Sequence, residues 1–429
     1  MAASARSRKA QLTCRPTLWE VRTTADPGRY RNVSCLSTVA AMFATERQLQ
    51  RRKEPLISGI LRDSVSGQNT RVTLANLIAF QRLHNQHITP PRRGSPAEIV
   101  AALGAVQAQE YPFAKWALAL RMATPTTDTA IEAAVDRGDI LRTHALRPTW
   151  HFVAAADIVW IQQLTGARVH ARLATYLSKF GIEKRTLIKA ATVIERALGA
   201  GRYLTRQELR ARLVRAGITL NGTPLALVVM YVELEHVICS GPRRGKQFTY
   251  ALVSERAPKA RARAGDEALG ELTRRYLASH GPATVRDFAW WSSLTTADVR
   301  RGLDITSARP LEQHGRTYWT LNPRKAPPQR STQVNLLPIY DEFLVAYRDR
   351  VAVPHGPSMY TRGPMKHALV IDGQVAGTWT IDRNGKLSVM PVRRLTSAER
   401  TGVEAEAGRF ATFIGIDLRT TGSIVRYIP

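Results

Sequence analysis

The segment Gly104-Ala-Val-Gln-Ala-Gln-Glu-Tyr111 places two amides, Gln107 and Gln109, one residue apart. In an extended chain alternate side chains share a side, so Gln107 and Gln109 converge while Glu110 points away. An amide can accept from or donate to a bound water, and it carries no charge to desolvate. Glutamine is a poor base, so the chemistry of such a pair is positioning. A lone Gln-x-Gln is a weak signal, however, and the residues around it have to carry the rest.

Other candidates are weaker. Gly241-Pro-Arg-Arg-Gly-Lys-Gln247 approaches a phosphate loop but is one residue short and lacks Ser or Thr after the lysine. A hairpin tip gripping DNA backbone is the better reading, with a solvated basic turn as the alternative. His144 and His151 fall in one hairpin without a third ligand at metal spacing. They read as satisfied or DNA-facing histidines, and no metal or cofactor is expected. Asp341, Glu342 and Asp349 are acids in a basic chain, with Arg348 and Arg350 as their expected partners.

The elements that must position these residues repeat one design. Ser95 and Glu98 form a capping box with Pro96 at the first helical position, and Ile99, Val100 and Leu103 follow at helical spacing. Ile140–His144 and Thr149–Val153 alternate like two strands joined around Arg147 and Pro148. Thr205 and Glu208 cap a second copy, whose later helix runs from about Pro224 to Glu235 and whose hairpin turns at Ser240–Lys246. Thr284/Asp287 and Thr295/Asp298 cap a helix-turn-helix with Arg300 and Arg301 on its later helix, followed by a candidate hairpin at Leu311–Leu321. Helix, helix, basic-tipped hairpin is the order of a winged helix. After Pro328 the pattern turns to strands: Val334–Pro338, His367–Asp372, Val375–Ile381 and Lys386–Val392. Turns fall at Asp372-Gly373 and Asn384-Gly385, and a closing helix runs over Ser397–Phe413.

Composition narrows the partner. In 429 residues, Lys plus Arg outnumber Asp plus Glu by 62 to 34, a formal net charge of +28. Spread over a globular chain with 44% hydrophobic residues, this favours nucleic acid over other polyanions. The three cysteines, Cys14, Cys35 and Cys239, describe neither a disulfide framework nor a zinc site, which points to a reducing, cytoplasmic setting. The longest apolar run, Leu225–Val232, is too short to span a bilayer, so no membrane partner is expected. Residues 1–72, with Arg51, Arg52 and Lys53, read as a poorly ordered basic extension. The expected regions after it are 73–198, 199–262 and 263–327, each a winged-helix unit, and 328–429, rich in strands.

From about residue 74 to 420 the chain resembles the AlkZ-type winged-helix DNA glycosylases. The resemblance lies in Leu103–Gln109, Leu141–Val153, Cys239–Tyr250 and Leu337–Asp349. It implies an α+β fold of about three tandem winged-helix units in a C-shape around duplex DNA, followed by a small antiparallel β-barrel. It also implies that Gln107-Ala108-Gln109 matches the family's catalytic Gln-Φ-Gln, where Φ is apolar. A purine alkylated at N7 or N3 departs as a neutral base, so an enzyme need only place water at C1′ and stabilise the sugar cation. On this reading Gln107 and Gln109 position that water. Arg142, Arg147, Arg243, Arg244, Lys246, Arg300 and Arg301 grip phosphates. His144, Trp150 and His151 lie at the DNA-facing hairpin, and Trp150, Tyr111 and Trp116 are either stacking wedges or core aromatics. The expected function is a monofunctional DNA glycosylase for bulky or N-alkylated purines, acting as a monomer on double-stranded DNA. The alternative is a winged-helix DNA-binding protein without catalysis, either a transcription regulator or a nucleoid-associated protein.

Overall fold

The structure is a computed structural model that describes residues 74–92, 94–313, 315–322, 332–356, 359, 365–382, 385–416 and 425–428. The basic extension, Cys14, Cys35 and Asn384 of the expected Asn384-Gly385 turn lie outside the described residues.

The first region contains α1 (Leu74–Asn85), α2 (Pro96–Leu103), β1 (Val106–Gln107), α3 (Tyr111–Leu120), α4 (Asp128–Arg137), β2 (Ile140–Ala145) and β3 (Thr149–Ala154). Ser95 Oγ accepts from the Glu98 N–H, and the Glu98 carboxylate accepts from the Ser95 N–H at 2.6 Å, so the capping box is closed in both directions. Gly104 ends α2 at φ +81°, and a Cβ there would come within 3.3 Å of the Trp291 ring. Glycine thus permits both the turn and the close approach. β1 pairs antiparallel with β3, which pairs with β2.

The same order then recurs. After α5 (Ile158–Lys179) come α6 (Lys184–Leu198), β4 (Leu204–Thr205), α7 (Arg206–Arg215), α8 (Gly222–Leu234), β5 (Ile238–Ser240) and β6 (Thr249–Leu252). Again the early short strand pairs with the last one, giving the order β4-β6-β5. The helix α9 (Val253–Arg256) leads to α10 (Gly265–His280), α11 (Val285–Ser292), α12 (Thr296–Ile305), β7 (Arg309–Gln313) and β8 (Arg316–Thr320). Here the early strand shrinks to one bridge between Ala283 and Trp319. The boxes Thr205/Glu208, Thr284/Asp287 and Thr295/Asp298 are all formed.

The chain then continues with β9 (Val334–Leu337), α13 (Glu342–Val345), β10 (His367–Ile371), β11 (Gln374–Ile381), β12 (Leu387–Pro391), α14 (Ser397–Ile414) and β13 (Val425–Tyr427). These strands form one sheet in the order β13-β12-β11-β10-β9, antiparallel except for the parallel pair β12–β13. The expected barrel is corrected on this point. Closure requires the two edge strands to pair, and among the described residues β9 and β13 lie at opposite edges. The sheet instead buries its apolar side against helices: Phe410 of α14 packs on Trp379 and on Trp116 of α3, at centroid distances of 5.3 and 5.0 Å.

Three apolar clusters result. One joins the first region to the C-terminal sheet, so Leu103, Ile131 and Phe152 share a core with Leu336, Trp379 and Phe410. A second holds α5 to α8, and a third gathers α10 to α12 around Trp160, Tyr276 and Trp291. Helix α8 is buried beyond its first turn, from Leu225 to Met230 and from Val232 to Leu234. No helix of the described residues is long and apolar enough to cross a membrane.

Candidate functional site

β1 is short, but its pairing fixes the two glutamines. Val106 lies opposite Phe152 and Gln107 opposite His151, and the Ala108 N–H donates to Trp150 O at 2.7 Å. Val106 and Ala108 are buried, whereas Gln107 and Gln109 are partly open, which is the alternation an extended segment imposes. Glu110 follows at the surface, before α3. Partial loss of solvent raises its carboxyl above the usual range, and the Arg142 charge opposes this.

Gln107 is clamped at both ends. Its backbone N–H donates to Glu342 Oε1 at 2.7 Å, and its side-chain Oε1 accepts from Arg147 Nη2 at 2.9 Å. Arg147 Nη2 also lies 4.0 Å from Glu342 Oε1, and both side chains are buried. Burial alone would raise the Glu342 carboxyl. His280, 3.6 Å away, and the charge of Arg147 outweigh burial and hold it at about 2. Trp291 Nε1 donates to the second carboxylate oxygen at 2.8 Å. His151 Nδ1 is 2.8 Å from Thr149 O, an acceptor only, so Nδ1 carries the hydrogen and Nε2 faces Arg147 at 3.5 Å. Burial, with Arg147 second, lowers His151 to about 3, so it is neutral near pH 7.

Gln109 is held more loosely. Its Oε1 accepts from the Trp150 N–H at 3.4 Å, near the long limit for a hydrogen bond. Between the glutamines, Ala108 O accepts from Arg142 Nε at 3.0 Å. The Arg142 guanidinium is buried, 4.1 Å from the Trp150 ring and 4.6 Å from Phe248, and burial lowers its pKa to about 10. His144 packs tilted against Trp150 at 4.7 Å, and its Nδ1 meets the buried Glu233 carboxylate.

The residues expected to touch DNA therefore divide. Arg142, His144, Arg147, Trp150 and His151 are at most 6% exposed and engage protein partners. Arg243 is half-buried: its N–H donates to Asp136 and its guanidinium lies near Tyr111, Phe248 and Glu132. Arg244, Lys246, Arg300 and Arg301 are exposed. Of these, Arg244 pairs with Glu208 and Arg301 with Asp266, each at 2.8 Å. Tyr111 and Trp116 are core aromatics: the Tyr111 hydroxyl donates to Glu132, and Trp116 Nε1 donates to Leu336 O.

The acidic trio takes partners other than Arg348 and Arg350. Asp341 is bidentate with buried Arg121, both distances 2.8 Å; Glu342 belongs to the Gln107 clamp; Asp349 pairs with Arg316. Glu342, Trp291 and Arg121 were not singled out from sequence as parts of the site. An acidic doublet between the apolar runs Leu336-Leu337 and Phe343-Leu344-Val345 was the signal that existed. Among the described residues no group of three or more His, Cys, Asp or Glu is arranged to hold a metal.

The model of the family described as DNA glycosylase AlkZ-like matches residues 100–413. An interstrand DNA cross-link repair glycosylase from Streptomyces sahachiroi is 26% identical over 361 residues, covering 78% of this chain and 95% of that protein. The solved structure of the Streptomyces sahachiroi DNA glycosylase AlkZ superposes with a TM-score of 0.68 at 24% identity. It covers 82% of this chain and 99% of that one, a likeness of fold. With the family match running through both glutamines, the Arg147–Glu342 clamp on Gln107 and strands β9 to β12, the chain belongs to the AlkZ-like DNA glycosylase family.

Proposed function

We propose that the protein is a DNA repair glycosylase that hydrolyses the N-glycosidic bond of bulky or N-alkylated purines in duplex DNA, with Gln107 and Gln109 as its catalytic residues. The observation that carries this is their pairing geometry. Both amides are partly open, Gln107 at the end of β1 and Gln109 two residues on, and each oxygen faces an obligate donor. Because Arg147 and the Trp150 N–H can only donate, the orientation of each amide follows from chemistry.

The two glutamines are not equivalent. Gln107 Oε1 is engaged by a charged donor at 2.9 Å, which leaves its N–H groups as the uncommitted end. Gln109 Oε1 has one long bond of 3.4 Å and keeps the stronger capacity to accept from a water. Gln109 then orients the attacking water, while Gln107 donates to an oxygen or nitrogen of the lesion or to the water itself. As the C1′–N bond breaks, its electron pair neutralises the cationic purine. The water oxygen bonds C1′ and its proton passes to solvent. The buried Glu342 carboxylate offsets the Arg147 charge behind Gln107, so that cation does not oppose a developing sugar cation at full strength.

The relative's named substrate, an interstrand cross-link, is a bulky lesion of this class and becomes a candidate substrate here. Each helix–strand–helix–helix–hairpin unit is read as a winged helix. Burial of α8 from Leu225 to Met230 and from Val232 to Leu234 weighs against a regulator that reads sequence, since the helix before the second hairpin leaves only its first turn and Tyr231 open to a groove. The test is base release from a duplex with one N7-alkylguanine, scored by alkaline strand scission. Wild type should release the base, and Gln107→Ala/Gln109→Ala should lose release while still binding DNA. No release above the spontaneous rate would leave the non-catalytic DNA binder as the reading.

A further inference from the structure

Burial takes Arg142 and Arg147 away from the phosphates they were expected to grip and raises the question of which cations hold the duplex. The hairpin between β5 and β6 answers part of it and leads to a second element. Its base is tied to the glutamines, because Phe248 and Arg243 pack on the cluster in which Arg142 holds Ala108 O. Its tip exposes Arg244 and Lys246. From that tip Arg244 reaches Glu208 on α7 at 2.8 Å, and donates to Tyr203 O at 2.8 Å.

On α7, Glu208, Arg212 and Arg215 are spaced i, i+4, i+7 and so share one helix face. Leu209 and Leu213 are buried on another, while Arg212 and Arg215 are exposed. Glu208 to Arg215 spans about 10 Å of helix. Just past its end, Lys189 Nζ of α6 lies 3.9 Å from the point where a Cβ on Gly217 would stand. Lys189 is exposed, and among the described residues none of Lys189, Arg212 and Arg215 is in a salt bridge. The carboxylate on this face, Glu208, is already engaged by Arg244 and by the Thr205 cap.

We propose that Arg212 and Arg215 of α7, with Lys189 beside them, continue the hairpin's basic tip as a track for the phosphates of the duplex flanking the glutamine site. The partner is double-stranded DNA bound through its backbone, without base reading. The inference rests on DNA as the substrate and is independent of glycosylase chemistry. Each phosphate that is no longer neutralised lowers the slope of log K against log salt by about 0.9.

The experiment is fluorescence anisotropy of an undamaged labelled duplex titrated with the full chain at several salt concentrations. Lys189→Gln/Arg212→Gln/Arg215→Gln should make the slope shallower by about 2 to 3 and weaken binding roughly 10–100-fold near 0.1 M salt. Arg212→Lys/Arg215→Lys should keep the slope, because phosphates accept a point charge, and so guards against a merely structural effect. A control that removes as many charges from the C-terminal region, Lys386→Gln/Arg394→Gln/Arg400→Gln, should bind like wild type. A wild-type slope in the first variant, or an equal fall in the control, would overturn the track. If the wild type releases no base yet loses its salt slope in the first variant, the glycosylase reading fails and the track stands.

Discussion

The guanidinium of Arg147 donates to the side-chain oxygen of Gln107 at 2.9 Å, across 40 residues of sequence. Together with the Glu342 carboxylate on the backbone N–H of the same residue, it fixes Gln107 from both ends. An arginine read from sequence as a phosphate ligand thus orients an amide. The charge that makes it a good donor is compensated by a carboxylate 4.0 Å away.

Arg147→Met should therefore lower base release at saturating DNA by about 10- to 100-fold, the scale on which misplacement of a positioned group acts. Affinity for undamaged duplex and its salt slope should stay near wild type. Arg147→Lys keeps the charge but loses the planar fork, and should fall between the two. A lower salt slope in Arg147→Met, with the release rate at saturation intact, would instead make Arg147 a phosphate ligand.

Acid should destabilise the fold early. His151 is held at about 3 and His367 at about 3, chiefly by burial, against about 6.5 in an unfolded chain. Between those values the unfolded chain takes up protons the fold refuses, so stability falls as pH drops from about 6.5 toward 3. Each group contributes up to about 1.4 kcal/mol per pH unit. Glu342, held at about 2, adds its own loss only below about 4. Urea unfolding at pH 7.5, 6 and 5 checks this, and His151→Gln should flatten the dependence. Equal stability at all three pH values would contradict neutral burial of these rings.

What could be read from sequence was local. The four capping boxes through Asp298, the alternating burial from Val106 to Gln109, and the hairpin around Arg147 each depend on residues a few positions apart. The site's polar frame does not. Glu342 meets Gln107 across 235 residues and Asp341 meets Arg121 across 220, and such pairings leave no periodic trace. Burial also separates residues that look alike in sequence: Arg142 and Arg147 are enclosed, while Arg244 and Arg300 are in solvent. The barrel failed for a related reason. Strand spacing predicts strands, but closure depends on which edges meet, and here α14 and Trp116 cover the apolar side of an open sheet.

The Arg121–Asp341 pair should be a stability element separable from catalysis. Both groups are buried, doubly bonded, and join α3 to the segment that carries Glu342. Removing one partner of a buried pair leaves an uncompensated charge and costs about 3–5 kcal/mol. Arg121→Met should lower the urea midpoint accordingly, with Arg121→Met/Asp341→Leu recovering part of the loss. A double variant no more stable than the single one would show that the pair's charge is not what the single variant exposes.

Arg142 separates the positioning reading from the grip reading most directly. Its Nε holds Ala108 O at 3.0 Å, and its guanidinium is enclosed by Trp150 and Phe248. Arg142→Gln should therefore slow base release at saturating DNA and lower the melting temperature while leaving the salt slope of binding unchanged. Arg244→Gln/Lys246→Gln, at the exposed hairpin tip, should do the reverse, with a slope shallower by about 0.9 for each phosphate left without its cation and little change in melting. If Arg142→Gln instead reduces the slope as the tip variant does, the guanidinium must leave its aromatic enclosure on binding DNA, and its role would be grip.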